Sequence, residues 1–285
     1  MKRRVKHWIW LGILGSLLLG TTACGSSKTI EKETAVTAEE KQIIRVGSGV
    51  TPHLEIIENV KERLSEEGYE LEIKVFEDFV LPNKALAEGD LDVNLYQHEP
   101  YLINFNAEHA TDLVVAGETK FYFLPLGIYP GKVDSLDKLP EGAEVAIPND
   151  LTNGGRALLL LQEAGLITLK EGVDITATVN DILDNPKQLK IVELEASQVV
   201  RSLADIDLAV INANFVLDAG LNVQEDALLT ETADSKAAEK YASIVAVEAS
   251  KQDDAAIQAF ITALRSDETR NFINDTYQGA VIPVF

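Results

Sequence analysis

The stretch "IPNDLTNGGRALLLLQEAGL", Ile147 to Leu166, holds the residues best suited to chemistry. It reads as a strand end, a Gly-rich turn and a helix that stops at Gly165. On this reading Arg156 falls in the first turn of the helix. A cation there opposes the helix macrodipole by roughly 0.3–1 kcal/mol. Gly154 and Gly155 weaken the same turn by up to about 1 kcal/mol each relative to alanine. Local preference therefore disfavours the arrangement, and the guanidinium needs a partner. Asn149 and Asn153 lie just before it. Backbone N–H groups at a helix start, with a guanidinium beside them, suit a carboxylate or a phosphate. A protein acid is the other partner open to Arg156, and the chain has 46 of them. No Gly-Lys-Ser/Thr follows, so the stretch is not a P-loop.

Other candidates sit where apolar strands end. "LDVNLYQHEPYL" carries Tyr96, His98 and Tyr101; Tyr96 and His98 share a face if the strand continues, and a loop histidine with half-buried tyrosines is the alternative. In "KFYFLPLGIY", Phe121 and Phe123 share one face and Tyr122 takes the other, and core packing accounts for at least one face. Asn212 and Asn214 close the strand "LAVIN", where asparagine also serves as a turn former. Catalysis finds little support. There is no Gly-x-Ser-x-Gly and no histidine pair at metal-ligand spacing, and His53, His98 and His109 are far apart in sequence. The expectation is no enzyme, no cofactor and no metal.

These residues are carried by alternating strands and helices. "IIRVG", "LEIKVF", "LDVNLY", "DLVVAG", "KFYFLPLGIY", "AEVAIP", "KIVEL", "LAVIN" and "YASIVAVE" read as strands. Helical spacing marks "PHLEIIENVKERLSEEG" at Ile57, Val60 and Leu64, and "DAAIQAFITALRSD" at Ile257, Phe260, Ile261 and Leu264. The alternation predicts an α/β fold with mainly parallel sheets flanked by helices. "KVDSLDKLPEG" (132–142) and "ADSKAAEK" (233–240) offer crossing points between two lobes, one of residues 41–131 plus 242–285 and one of 135–238. Two crossings make a hinge, with a ligand cleft at the strand carboxyl ends.

The net charge is −21, and −25 once residues 1–23, with four basic side chains and no acids, are set aside. So acidic a surface repels phosphate backbones and excludes nucleic acid as a partner. It gives no attraction to anionic lipid either. The N-terminus supplies another route to the membrane. "MKRRVKHWIWLGILGSLLLGTTAC" has a basic head, an apolar run from Trp8 to Gly20 and small residues before Cys24. The run is short for a membrane span and fits a signal peptide over 1–23. The chain's only cysteine, Cys24, stands where a lipobox places it, although Thr21 replaces the usual leucine three residues earlier. Acyl and diacylglyceryl chains on Cys24 would hold the protein at a membrane. Residues 24–40 are polar, without apolar periodicity, and read as a lipidated flexible tether.

Four stretches, "FEDFVLPNKALAEGDLDVNLYQHEPYL", "FYFLPLGIYP", "VAIPNDLTNGGRALLLLQEAGLITLK" and "AVINANFVLDAGL", together resemble the methionine-binding lipoproteins that feed methionine ABC importers. The resemblance runs from about 43 to 285 and looks like a Gram-positive member, anchored on the extracellular side of its membrane. It implies a two-lobed periplasmic-binding-protein fold of type II that closes over one amino acid and delivers it to a permease and an ATPase. Carried over residue by residue, Arg156 binds the ligand carboxylate, and Tyr96, His98, Tyr101, Phe121 and Phe123 box the thioether. Asn149, Asn153, Asn212 and Asn214 hold the ammonium and carboxylate. Strand alternation lets one of Asn212 and Asn214 face the ligand, with Asn214 preferred. Arg156→Ala is then expected to end binding and leave the fold intact.

The chain departs from the family at "YAS", where Ser243 replaces the family's asparagine. Losing one hydrogen-bond partner in a closed cleft costs about 1–3 kcal/mol. The expected cargo is L-methionine or a close relative. Methionine sulfoxide, a methionine-containing dipeptide and another amino acid stay open, as does a surface interaction or adhesion lipoprotein with a vestigial cleft.

Overall fold

The computed structural model describes residues 41–117, 120–233 and 236–285. The signal peptide, Cys24 and the tether lie outside the described residues.

Two five-stranded sheets organise the chain. The first runs in the order Tyr69–Val75, Gln42–Ser48, Val93–His98, Ser243–Glu248, Leu113–Val115. The second runs Lys190–Leu194, Glu144–Pro148, Leu208–Asn212, Leu126–Pro130, Leu229–Thr230. Central strands are buried along their whole length, as Val93–His98 and Leu208–Asn212 are, because helices cover both faces. In helix Ala255–Leu264 the predicted face is buried: Ile257, Phe260, Ile261 and Leu264 join the core of the first sheet. Leu126, Val145, Ile147, Leu158, Leu161 and Val210 belong to a separate core on the second.

The sheets are mixed, where the sequence predicts mainly parallel ones. In the first, Ser243–Glu248 runs antiparallel to both neighbours. In the second, Leu126–Pro130 does the same. Helical crossovers enforce parallel pairing. These two strands instead enter from the segments that pass between the sheets, which frees them to run the other way.

The apolar run 121–130 is not one strand. Pro125 has no N–H to give a ladder. Tyr122–Phe123 pairs with Ile282–Pro283, and Leu126–Pro130 moves into the second sheet, although the sequence placed it in the first lobe. The returning segment lies alongside this crossing. Glu231 N–H donates to Leu126 O at 3.0 Å, and Phe123 bridges Ala242.

Helix Leu151–Glu163 starts earlier than predicted. Asp150 is its N-cap and accepts the Asn153 N–H at 2.9 Å. Arg156 is therefore in the second turn, where the terminal dipole acts weakly. The glycines serve close packing. A Cβ on Gly155 would lie 2.1 Å from Ile175 O and 3.1 Å from Ala177 N, and one on Gly154 2.9 Å from Pro148 O. Gly155→Ala should cost about 3 kcal/mol in a denaturation titration, the upper end for overpacking, because the obstacle is backbone. Wild-type stability in that variant would show that the 175–177 segment gives way.

Candidate functional site

A cavity is lined by Phe79, Tyr96, Gln97, His98, Tyr101, Leu124, Asn153, Arg156, Asn212, Asn214, Tyr241 and Ser243. Its wall is aromatic on one side. Phe79 lies 6.1 Å from Tyr96, 5.8 Å from Tyr101 and 5.2 Å from Phe215, centroid to centroid. Tyr241 meets His98 edge-on at 5.1 Å. Tyr96, Gln97 and His98 all reach the cavity, because the pairing of strand Val93–His98 with Ser243–Glu248 skips Tyr96 and breaks the alternation there, and helix Glu99–His109 then places Tyr101 beside Tyr96 and His98.

Arg156 is 3% exposed and spans the two crossing segments. Its Nε donates to Glu231 Oε1 at 2.8 Å and Oε2 at 3.1 Å. Its Nη2 donates to Glu231 Oε2 and, at 2.9 Å, to Leu124 O. The guanidinium carbon sits 4.3 Å from the Tyr241 ring centroid and 5.5 Å from that of Phe123. Such cation–π contacts contribute more when desolvated. Both partners open in the sequence therefore fit on one side chain. Glu231 takes one edge, and Nη1 has no hydrogen-bond partner among the described residues, which leaves two N–H donors for an anion.

A chain of hydrogen bonds runs from the helix cap into the same cavity. Asn153 Nδ2 donates to both Asp150 oxygens at 3.0 Å. Asn153 Oδ1 accepts from Asn212 Nδ2 at 2.9 Å and faces His98 Nε2 at 3.3 Å. His98 Nδ1 accepts the Tyr101 N–H at 3.1 Å, so Nε2 carries the proton in the neutral ring. Burial, with Arg156 nearby, pushes the His98 pKa down to about 3. Burial pushes the Asp150 carboxyl up, against the pull of its hydrogen bonds from Asn153 and Thr152. Asn212 Oδ1 ends the chain, buried and without a partner.

Several predicted residues are placed elsewhere. Phe121 packs in the first core against Phe285, and Phe123 lies beneath Arg156; neither lines the cavity. Strand alternation separates faces but does not say which face meets the cleft. Asn149 is exposed, its backbone N–H bonded to Leu194 O. Asn212 and Asn214 both line the cavity, because a helix starts at Ala213 and replaces alternation with helical turning. Ser243 is in the wall, opposite His98 in the strand register. Sequence reasoning missed Phe79, Leu124, Tyr241, Glu231 and Asp150. Phe79, Leu124 and Asp150 stand inside the quoted stretches and Tyr241 two residues before Ser243, whereas Glu231 left no trace.

The sequence profile of the NlpA lipoproteins matches residues 44–285. The chain belongs to the NlpA lipoprotein family. It is similar to the D-methionine-binding lipoprotein MetQ of Salmonella typhi, 39% identical over 274 residues that cover 95% of this chain and 94% of that one. Among solved structures it is similar to a lipoprotein from Ruminococcus gnavus (49% identity, TM-score 0.84, covering 86% of this chain and all of that one). It is also similar to a nutrient binding protein from Burkholderia cenocepacia bound to methionine (41% identity, TM-score 0.79, covering 85% of this chain and all of that one).

The cavity of this NlpA lipoprotein therefore offers donors at Arg156, a bare acceptor at Asn212 and an aromatic wall. With Glu231 balancing Arg156, a net-neutral molecule carrying an anion, a cation and an apolar chain suits it better than a simple anion. Among the described residues no cluster of His, Cys, Asp or Glu is placed to hold a metal ion.

Proposed function

We propose that this NlpA lipoprotein captures methionine between its lobes and delivers it to the permease and ATPase of an ABC importer. The lipid on Cys24 holds it at the extracellular face of a Gram-positive membrane. The lobes divide at Leu124–Pro125 and between Glu231 and Ala242. One observation carries the reading: the unpartnered Asn212 Oδ1 and the uncommitted Nη1 of Arg156 belong to one buried cavity. An acceptor and a cationic donor pair match the ammonium and carboxylate of an amino acid. Phe79, Tyr96, Tyr101 and Tyr241 give a thioether the aromatic contacts sulfur favours. The role is binding and release, with no bond made or broken in the ligand.

Residues 25–285, unfolded, dialysed and refolded to strip carried ligand, should bind L-methionine one to one at micromolar affinity or tighter by calorimetry. A parallel titration with D-methionine reads the stereochemical preference. No heat with either isomer would reject methionine as the cargo.

A further inference from the structure

We propose that Asn83 is a positioning residue for the ligand cavity: its carboxamide clasps Asn94 and Gln97, holds the bulge at Tyr96, and so decides that His98 stands opposite Ser243 in the wall. The inference rests on the methionine reading above for its ligand and deepens it.

In a regular strand, residues three apart point to opposite faces. Asn94 and Gln97 are three apart and point to the same face. Asn94 stands opposite Ala246 and Gln97 opposite Ile244, two residues that share a face of the neighbouring strand. Leu95 stands opposite Val245, so the extra residue is Tyr96. Helix Leu81–Ala87 brings Asn83 to both amides. Asn83 and Gln97 form a reciprocal pair. Asn83 Nδ2 donates to Gln97 Oε1 at 2.8 Å, and Gln97 Nε2 donates to Asn83 Oδ1 at 2.7 Å. Asn94 Nδ2 donates to the same Asn83 oxygen at 2.9 Å, and Gln97 Nε2 reaches Asn94 Oδ1 at 3.1 Å. Asn83 and Asn94 are fully buried and Gln97 is 5% exposed, and all three amide oxygens accept within the cluster.

Regular pairing would undo this arrangement. With Leu95 kept opposite Val245, Tyr96 would face Ile244, and Gln97 would take the place opposite Ser243. Gln97 would then turn to the face of Val93, Leu95, Val245 and Val247, which belong to the apolar core of the first sheet. Its amide would be buried there away from Asn83 and Asn94, and hydrogen bonds left unmade by buried amides are costly. His98 would pass one residue beyond Ser243. The clasp therefore penalises the regular register and favours the bulged one. Asn83 and Asn94 do not line the cavity, and Gln97, which does, has its amide committed to the cluster. Their effect reaches the ligand through Tyr96 and His98. The bulge sets Tyr96 in the wall, where its hydroxyl donates to Phe79 O at 2.8 Å.

Asn83→Leu tests the idea, since leucine keeps the branching of the side chain and removes the hydrogen bonds centred on it. Leu64→Ala, in the core of the same sheet and outside the cavity, is the control for a general loss of stability. Both are compared with wild type at a temperature where all three are folded by near-UV circular dichroism. Calorimetry with L-methionine should show affinity weaker by about tenfold or more in Asn83→Leu and unchanged in Leu64→Ala. Unchanged affinity in Asn83→Leu, or equal weakening in both variants, overturns the proposal. Amide hydrogen exchange in ligand-free protein gives a second readout. Asn83→Leu should speed exchange over residues 95–98 and 243–245 more than over Gln42–Ser48, the strand on the other side of Val93–His98. An equal change in both regions overturns the proposal. Should wild type bind no methionine, the cargo reading fails, and the exchange pattern still decides the role of Asn83. Asn83→Ser, which is smaller and leaves room for water beside Asn94 and Gln97, repeats both measurements if the leucine variant does not fold.

Discussion

Arg156→Ala should lose ligand binding and about 3–5 kcal/mol of folding stability together, the cost of stranding a buried charge. The sequence predicts a variant that folds normally. The structure overturns this, because Glu231 is only 8% exposed and takes its charge partner from Arg156. Removal of the guanidinium also leaves Leu124 O without its donor and the Tyr241 ring without its cation. Adding Glu231→Gln should restore part of the stability, since no bare charge remains, and restore no binding. Urea titrations of the four proteins, wild type, both single variants and the double, measure the coupling. Calorimetry with methionine on the same set measures the loss of affinity. Full methionine affinity in Arg156→Ala would remove Arg156 from the site. Additive stability losses would mean that the ion pair is uncoupled and the cost lies in packing alone.

Acid is the second large effect. His53 is buried with Nδ1 2.7 Å from the Tyr122 hydroxyl, and its Nε2 has no partner. Burial pushes its pKa down to about 3, as it does for His98. Between about 6.5 and 3 both rings stay neutral in the folded protein and take up protons in the unfolded chain. The unfolded state then binds more protons, so stability falls as pH falls through that window. Each ring can contribute about 1.4 kcal/mol per pH unit, and the loss stops growing once the folded protein also protonates. Urea unfolding at pH 7.5, 6, 5 and 4 should show this decline. His53→Gln removes one of the two groups and should flatten the slope by about half. A slope that His53→Gln leaves untouched would place the acid sensitivity elsewhere.

Part of the site was legible because it depends on neighbours in the chain. Tyr96 and His98 close an apolar strand, where ligand sites form, although a bulge at Tyr96, and not period two, brings both to the cavity. Arg156 stood out because it follows two glycines that a helix would not choose. The glycines proved to answer Ile175 O and Pro148 O, contacts that no local rule contains. The α/β alternation and the two lobes were legible for the same reason, since amphipathic period and strand–helix order are properties of the chain itself.

What the tertiary structure decided depends on residues far apart in sequence. Glu231 lies 75 positions from Arg156, and nothing near it sets it apart from 45 other acids until the crossing segments run side by side. Strand alternation separated Phe121 and Phe123 from Tyr122, but packing put Phe121 and Tyr122 in the same core and Phe123 against Arg156, so neither face lines the cavity. Pro125 split one apolar run between two sheets, a choice made by the partners available on each side. The direction of Asn153 and Asn212 was settled last. A near-symmetric amide carries no direction of its own, and takes one from its neighbours, here the Asp150 oxygens that accept and the Tyr101 N–H that fixes the His98 tautomer.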